Sequence, residues 1–529
     1  MHTDRARRWK YRAWGLGVAA ATLALLVVTE PKLAIVWDEG YTLGRESRVR
    51  QWFQAVRDPA GFAETWVPPQ FELVQQDAIR PPRRDQVDTR AKLFAPATLA
   101  WFWPFAREEP HGHPPFYALA GLIGDFVVPG WAELPRARFG PILAFAVTAG
   151  CLFGFVGRRW GAWAGAGSAG AWVLQPRLFG HGHYAAYDAL LTCLWVSATL
   201  AFWLAIEPNE DGSLRNRPRW GWAIIVGVLL GWAGVTKFTG WFLPLPFVVW
   251  AGLFRKYRAE RVAWAAIPVG ILTLYLFNPG WWADPVGGVE RFLRSNLTRG
   301  RTIPIAVQFL GTVYRTPIES LPSYNTLVWT VLVTPAIFLT LAILGGIRAV
   351  RRVKSEPFGL LVLGHWTMLI LLRALPHTPG HDGVRLFLPA FGVLAILAGL
   401  GAASAVGRWV RFGRIIVVAA LLEGAASLAI MMPVPLAYYS PIVGGLPGAT
   451  ALGMEPTYYW DALSDDALAF LNANTAVGES IRFAGVPTSF FYLRSIGRLK
   501  PSFSPFDPGK PVWLVLQNRP GSLRPEERA

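Results

Sequence analysis

Residues 5–42 read RARRWKYRAWGLGVAAATLALLVVTEPKLAIVWDEGYT, and three features of that stretch decide the fold. Arg5, Arg7, Arg8, Lys10 and Arg12 come first, an apolar run from Ala13 to Thr29 follows, and the acidic pair Asp38-Glu39 closes it. Cations ahead of an apolar run are the order of a signal peptide or of a signal anchor. No small-residue cleavage site follows convincingly, because Glu30-Pro31-Lys32 comes next and apolar sequence resumes at Leu33. The stretch reads as an uncleaved first membrane helix with a cytoplasmic N terminus. Asp38-Glu39 then opens the first extracytoplasmic loop.

Working outward, further apolar runs able to cross a bilayer lie near 139–157, 161–177, 188–206, 220–236, 241–254, 262–277, 326–347, 357–375, 385–406 and 413–432. With the N terminus inside, the cytoplasmic connections are Arg158-Arg159, the Arg215-Arg217-Arg219 loop, Arg255-Lys256-Arg258-Arg261, Arg348-Arg351-Arg352-Lys354 and Arg408-Arg411-Arg414. Every one is basic, as the positive-inside bias requires. The loops at 31–138 and 278–325, the turns at 177–187 and 376–384, the hinge Lys237–Gly240 and the tail from Pro433 fall outside. Leu93–Phe105 and Phe116–Val128 could form a two-pass hairpin, but helices lying along the interface are the preferred reading. The expected fold is an all-α polytopic membrane protein of about eleven transmembrane helices. It comprises a membrane domain over 1–432, including the loop 31–138 with its interfacial helices, and a small extracytoplasmic α/β domain over 433–529. In that tail, Ala467–Asn472 reads as helix and Ser480–Phe483 and Val512–Gln517 as short strands.

Composition supports this. The chain has 529 residues, 53% hydrophobic and 16% charged, with the charges in bursts between apolar runs, a pattern no soluble domain of this size tolerates. The net charge of +17 is explained by these membrane-flanking clusters, so nucleic acid is not an expected partner and membrane lipid is. Cys151 and Cys193 sit inside apolar runs and read neither as a disulfide nor as thiolate metal ligands. The 26 Trp fit interfacial belts, as at Trp101, Trp103, Trp281 and Trp282.

Several residues could carry chemistry. A carboxylate at Asp38, at the outer membrane edge, is partly desolvated and can act as a base on a hydroxyl. An ordinary solvated helix-end carboxylate is the plain alternative. Asp188 opens an apolar run after His181-Gly182-His183-Tyr184-Ala185-Ala186-Tyr187, where it either complements a helix dipole or acts as a second acid in the same outer cavity. Lys237 in Thr236-Lys237-Phe238-Thr239-Gly240 is either a snorkelling lysine or a fixed cation for a phosphate, with Arg385 in His381-Asp382-Gly383-Val384-Arg385 as a second. His111, His113, His181, His183, His377 and His381 lie outside by this topology. That distribution allows a divalent metal held by several loops, although no pair has a recognised ligand spacing.

In order and sidedness these positions resemble the GT-C fold glycosyltransferases of the protein O-mannosyltransferase and aminoarabinose transferase type. The motifs are Asp38-Glu39 after the first helix, His113-Pro114-Pro115-Phe116-Tyr117 in the same loop, Arg136 or Arg138 entering the next helix, Asp188 after an outer turn, and Thr236-Lys237 with Gly240. The resemblance implies a polyprenyl-phosphate sugar donor and an acceptor hydroxyl on the outer face of a bacterial plasma membrane, the acceptor (glycan, lipid or protein) being left open. It implies inversion, with Asp38 as general base, Glu39 beside it, and Asp188 orienting sugar or acceptor. Lys237, Arg138 and Arg385 would bind the donor phosphate, and Tyr41, His113, His183, His381 and Asp382 would line the donor and acceptor cavity.

Two departures matter. Aminoarabinose transferases carry an Arg shortly after their acidic pair and a Lys before Pro-Pro, where this chain has Tyr41 and His113. The 278–325 loop is also too short for the luminal β-trefoil of protein O-mannosyltransferases. The alternatives are a transporter or flippase of lipid-linked intermediates, which would place charges at mid-membrane depth within repeated halves, and an inactive scaffold.

Overall fold

A computed structural model describes residues 2–68, 80–103, 113–209, 211–298, 305–380, 382–476, 479–485, 487, 489–500, 511–523 and 527. The first apolar run forms one helix, His2–Thr29, which gives way to a 3-10 turn at Glu30–Lys32, where Pro31 lacks the N–H an α-helix needs. The other ten runs are also helical. Glu133–Trp160, Tyr187–Ile206, Trp220–Gly234, Ala263–Leu276, Phe358–Ala374, Pro389–Arg408 and Val410–Met431 are continuous. Three runs are broken beside proline: Ala162–Val173 from Pro176–His183, Asn325–Val333 from Ala336–Arg351, and the 3-10 helix Phe238–Phe242 from Pro244–Leu253. Among the described residues, six helices are long and apolar enough to cross a membrane, and the chain is an all-α multi-pass membrane protein.

Tyr187–Ile206 and Pro389–Arg408 are buried on nearly every side and form the centre of the bundle. Val248, Ile267, Ile271, Leu422 and Ile430 are exposed on outer helices, as lipid-facing side chains are. Ala336–Arg351 and Pro389–Arg408 touch backbone to backbone at Gly345 and Gly401. A Cβ on Gly401 would stand 1.8 Å from the Leu341 carbonyl, and one on Gly345 1.9 Å from that of Leu397. Small residues at such crossings are the membrane solution to helix packing.

The basic connections gather at one end of the bundle. There Arg158, Arg159 and Arg219, from two helix ends, converge on Glu207, and Arg348 and Arg352 bind Glu356 at 2.7 and 2.9 Å. Asp188 stands at the opposite end of the helix that precedes Glu207, so the acidic motifs and the arginine clusters occupy opposite ends.

At the acidic end the loop is dominated by a 21-residue helix, Trp37–Arg57, which the hydropathy pattern does not reveal. Its buried face carries charges, and pairing keeps them there. Arg50 binds Glu46 at 3.0 Å and Asp125 at 2.6 Å, while Arg48 donates to the Trp101 carbonyl at 3.2 Å and lies over the Trp101 ring. Arg90–Leu93, Pro96–Phe102, Phe116–Gly121 and Ile123–Val127 are each too short to cross a hydrocarbon core of about 30 Å, and three of them pack on this long helix or beside it. The segment Arg107–Gly112 lies outside the described residues.

The loop after Leu276 carries a helix, Pro285–Thr298, and an antiparallel hairpin, Ile305–Phe309 with Thr312–Thr316. In the tail, Ser480–Phe483 pairs in parallel with Pro511–Val515, beside the helices Asp465–Asn474 and Ser489–Ser495. The tail does not stand apart. Trp460, Leu463, Leu468, Phe483 and Phe490 share one core with Ile35, Leu43, Leu134, Ala137 and Ala185.

Candidate active site

A cavity of about 430 Å³ opens at the acidic end, and three separated parts of the chain wall it. The helix Trp37–Arg57 contributes Trp37, Asp38, Tyr41, Thr42 and Arg45; the bundle contributes Tyr187, Asp382 and Arg385; the tail contributes Tyr459, Trp460, Gln517 and Arg519. His113 and Tyr117 also line it, with Ile305 of the hairpin.

Arg385 is the hub. It sits in the 3-10 turn Arg385–Phe387 that leads into the central helix, and its side chain is almost entirely buried. Its Nε donates to Asp188 Oδ2 at 2.9 Å, Nη1 to Asp382 Oδ2 at 2.7 Å, and Nη2 to Asp38 Oδ2 and to the Tyr187 hydroxyl at 2.5 Å. Tyr187 donates in turn to Asp38 Oδ2. Asp38 Oδ1 has no hydrogen-bond partner among the described residues. Lys237 follows the helix Trp220–Gly234 in extended conformation and donates to Asp188 Oδ1 at 2.5 Å. Asp382 also accepts from Arg519 at 3.0 Å, and Arg519 lies 3.4 Å from Glu455. Burial opposes the charge on Arg519, but Glu455 and Asp382 outweigh it and hold the guanidinium protonated. The result is an alternating chain, Lys237, Asp188, Arg385, Asp382, Arg519, Glu455, with Asp38 branching from Arg385 into the cavity.

Local backbone places these groups. Asp38 is in the first turn of its helix, and the Glu39 carboxylate closes that turn by accepting from the Val36 N–H at 3.1 Å. Asp382 and Gly383 both take left-handed backbone, at φ +56° and +61°, which turns the chain sharply into Arg385. A Cβ on Gly383 would approach Arg177 Nη1 to 2.9 Å, so the side chain is excluded twice over. The His113-Pro114-Pro115-Phe116 segment is fixed by the Phe116 N–H donating to the Val235 carbonyl at 3.0 Å, beside Lys237.

Not every expected residue faces the cavity. Arg138 is fully buried and its donors are taken: Nε and Nη2 by Glu39 at 2.7 and 2.6 Å, Nη1 by Glu30 at 3.0 Å, and both Nη atoms by the carbonyls of Leu33 and Ala34. In place of the expected contact with a donor phosphate, the structure shows it paired with Glu39 and Glu30 and off the cavity wall. Glu39, also fully buried, accepts from the Ala185 N–H at 2.9 Å as well, so it welds the loop to the turn before Asp188 and stays off the cavity wall. His183 is likewise withdrawn, bonding Thr29 Oγ1 at 2.9 Å and the Phe179 carbonyl at 2.8 Å. Tyr41, His113 and Asp382 do line the cavity, with the His113 ring 3.7 Å from that of Tyr187. His381 lies outside the described residues. Among the described residues, no group of three or more His, Cys, Asp or Glu gathers as a metal set would.

Sequence reading missed Tyr187, although it adjoins Asp188, and missed Arg45, Tyr117, Tyr459, Trp460, Gln517 and Arg519. Arg45 lies one helical turn beyond Tyr41, a signal available only once Trp37–Arg57 is known to be a helix. For the tail residues no local signal exists.

Residues 113–282 match the family described as Dolichyl-phosphate-mannose-protein mannosyltransferase. A comparison with curated protein sequences finds no match. Among solved structures, the chain is similar to ArnT from Cupriavidus metallidurans in the apo state, at 14% identity and a TM-score of 0.52, over 91% of this chain and 84% of that one. The same protein bound to undecaprenyl phosphate gives 14% and 0.51, over 91% and 85%. The apo oligosaccharyltransferase of Archaeoglobus fulgidus gives 13% and 0.45, over 92% and 65%. The chain thus shares the fold of ArnT from Cupriavidus metallidurans, a GT-C fold, and over residues 113–282 it is similar to the mannosyltransferase family.

Proposed function

We propose that this protein transfers a sugar from a polyprenyl-phosphate carrier to an acceptor hydroxyl, by a single inverting displacement. The observation that carries the reading is Asp38, a carboxylate on the cavity wall with Oδ2 held by Tyr187 and Arg385. Oδ1 takes the acceptor proton while the acceptor oxygen bonds the anomeric carbon. The bond from that carbon to the phosphate oxygen breaks, and its electron pair leaves with the polyprenyl phosphate. Negative charge grows on the departing phosphate, and fixed cations are what stabilise it. Arg385 and Arg45 line the cavity for that purpose, while Lys237 acts one residue removed, holding Asp188 against Arg385. Tyr41, His113 and Asp382 shape the space in which the sugar and acceptor meet.

Both comparisons support a lipid-linked donor: the family description names dolichyl-phosphate mannose, and ArnT from Cupriavidus metallidurans has been solved with undecaprenyl phosphate. The arginine-rich opposite end supports a cavity on the extracytoplasmic face of a bacterial plasma membrane, with the N terminus cytoplasmic.

The test is donor consumption. Purified protein in lipid nanodiscs is incubated with labelled polyprenyl-phosphate sugars and an envelope extract. Label passes to an acceptor from at least one donor, and the product has the opposite anomeric configuration. Failure to consume any donor overturns the reading, and retained configuration overturns the single displacement.

A further inference from the structure

Tyr459 and Trp460 stand out because neither is glycine and both adopt left-handed backbone, at φ +64° and +62°. Two consecutive aromatic residues in that region are costly, and such backbone persists where surrounding contacts over-determine it, most often around ligands. Here the contacts are specific. The Trp37 N–H donates to the Tyr459 carbonyl at 2.9 Å, which ties the tail to the turn that presents Asp38. The Arg385 guanidinium lies 4.4 Å from the Tyr459 ring, so one face of that ring is committed to the cation at the centre of the charge chain. With Tyr459 fixed, the backbone delivers Trp460 to the cavity wall, where its ring also meets Phe483 edge-on at 5.9 Å. Trp37 lines the same cavity and packs on the same apolar cluster.

We infer that Trp460, with Trp37 beside it, is an aromatic platform for the ring of the transferred sugar, supplied to the membrane domain by the C-terminal tail of the same chain. This rests on the donor reading above. A sugar ring carries hydroxyls around its edge and axial C–H bonds on its faces, and those weakly positive hydrogens seat on the electron-rich face of an indole. The neighbouring carboxylates and arginines meet the hydroxyls, so the wall recognises both surfaces of the sugar at once. The strained pair is then what holds the indole at the height of Asp38.

The sugar's own share of binding tests this. Binding of bare undecaprenyl phosphate, and of polyprenyl-phosphate mannose, glucose, galactose and arabinose, is measured to wild type, Trp460→Leu and Trp460→Tyr in nanodiscs, alongside the melting temperature of each. Wild type binds at least one sugar-bearing carrier more tightly than the bare one, and Trp460→Leu loses about tenfold of that margin while holding bare carrier unchanged. Trp460→Tyr, which keeps an aromatic face, recovers most of it. An unaltered margin in folded Trp460→Leu protein, or no sugar margin in wild type, overturns this inference and leaves the transferase reading standing. If wild type binds neither kind of carrier, both fall.

Discussion

Asp38 and Asp188 are bound by different nitrogens of one guanidinium, that of Arg385. The carboxylate assigned as base and the acidic residue behind it therefore cannot move independently. Arg385 fixes Asp38 Oδ2, lowers the charge repulsion among Asp38, Asp188 and Asp382, and leaves the other oxygen of Asp38 for a proton.

If Asp38 is the base, Asp38→Asn protein folds normally and transfers sugar at least about 100-fold more slowly, the usual contribution of a positioned base. Initial rates with saturating donor, taken with melting curves, measure this. Transfer at the wild-type rate by Asp38→Asn would remove Asp38 from the mechanism.

Arg385→Gln leaves three carboxylates facing one another without their shared cation. Breaking buried pairs in this way costs about 3–5 kcal/mol, so the variant melts well below wild type. Arg385→Lys keeps the charge but has no planar fork, and so cannot reach Asp38, Asp188 and Asp382 together. It is more stable than Arg385→Gln and still poorly active. A fully active Arg385→Lys would mean that charge alone suffices.

Glu39 and Arg138 are assigned to structure. Glu39→Leu leaves the buried Arg138 with Glu30 as its one carboxylate partner and costs up to about 3–5 kcal/mol, whereas replacing the whole set, Glu30→Leu, Glu39→Leu and Arg138→Met, recovers much of the loss. Thermal unfolding of the single and triple variants measures the coupling. If Glu39→Leu retains wild-type stability yet loses transfer, Glu39 belongs to the chemistry after all.

Asp461, next to the platform residue Trp460, is buried, and burial raises its carboxyl to about 7 despite the opposing pull of Arg177. The folded group holds its proton more tightly than the unfolded one, whose ordinary value is 3.8. Its stabilising contribution is therefore complete below about pH 4 and is lost as pH rises through about 7. Asp461→Asn, which cannot ionise, flattens that part of the stability profile. A melting-temperature series from pH 5 to pH 8, about the range over which the group titrates, shows wild type declining relative to the variant. Parallel profiles would contradict the assignment.

The eleven apolar runs were legible because a bilayer forces about 20 consecutive apolar residues, and the arginine clusters fixed which ends lie together. Asp38, Asp188, Lys237 and Arg385 were legible as charges at the ends of such runs. The helix Trp37–Arg57 was not, because Arg45, Glu46 and Arg48 are buried through partners such as Arg50 and Trp101 rather than through apolarity. Arg138 looked like a phosphate ligand for the same reason: from sequence, a cation near a helix start gives no sign that Glu30 and Glu39 have already claimed it. Tyr459, Trp460 and Arg519 reach the cavity only through tertiary packing of the tail, which no local pattern encodes.

The cavity wall is drawn from the loop after the first helix, the central helices and the tail, and this dictates an order of manufacture. During synthesis Asp38 emerges early, Arg385 much later, and Trp460 only after the final membrane helix. Until then Asp38 lacks its arginine partner and the cavity is not assembled. On the proposed mechanism, a chain able to transfer sugar exists only once the last segment has packed on the first.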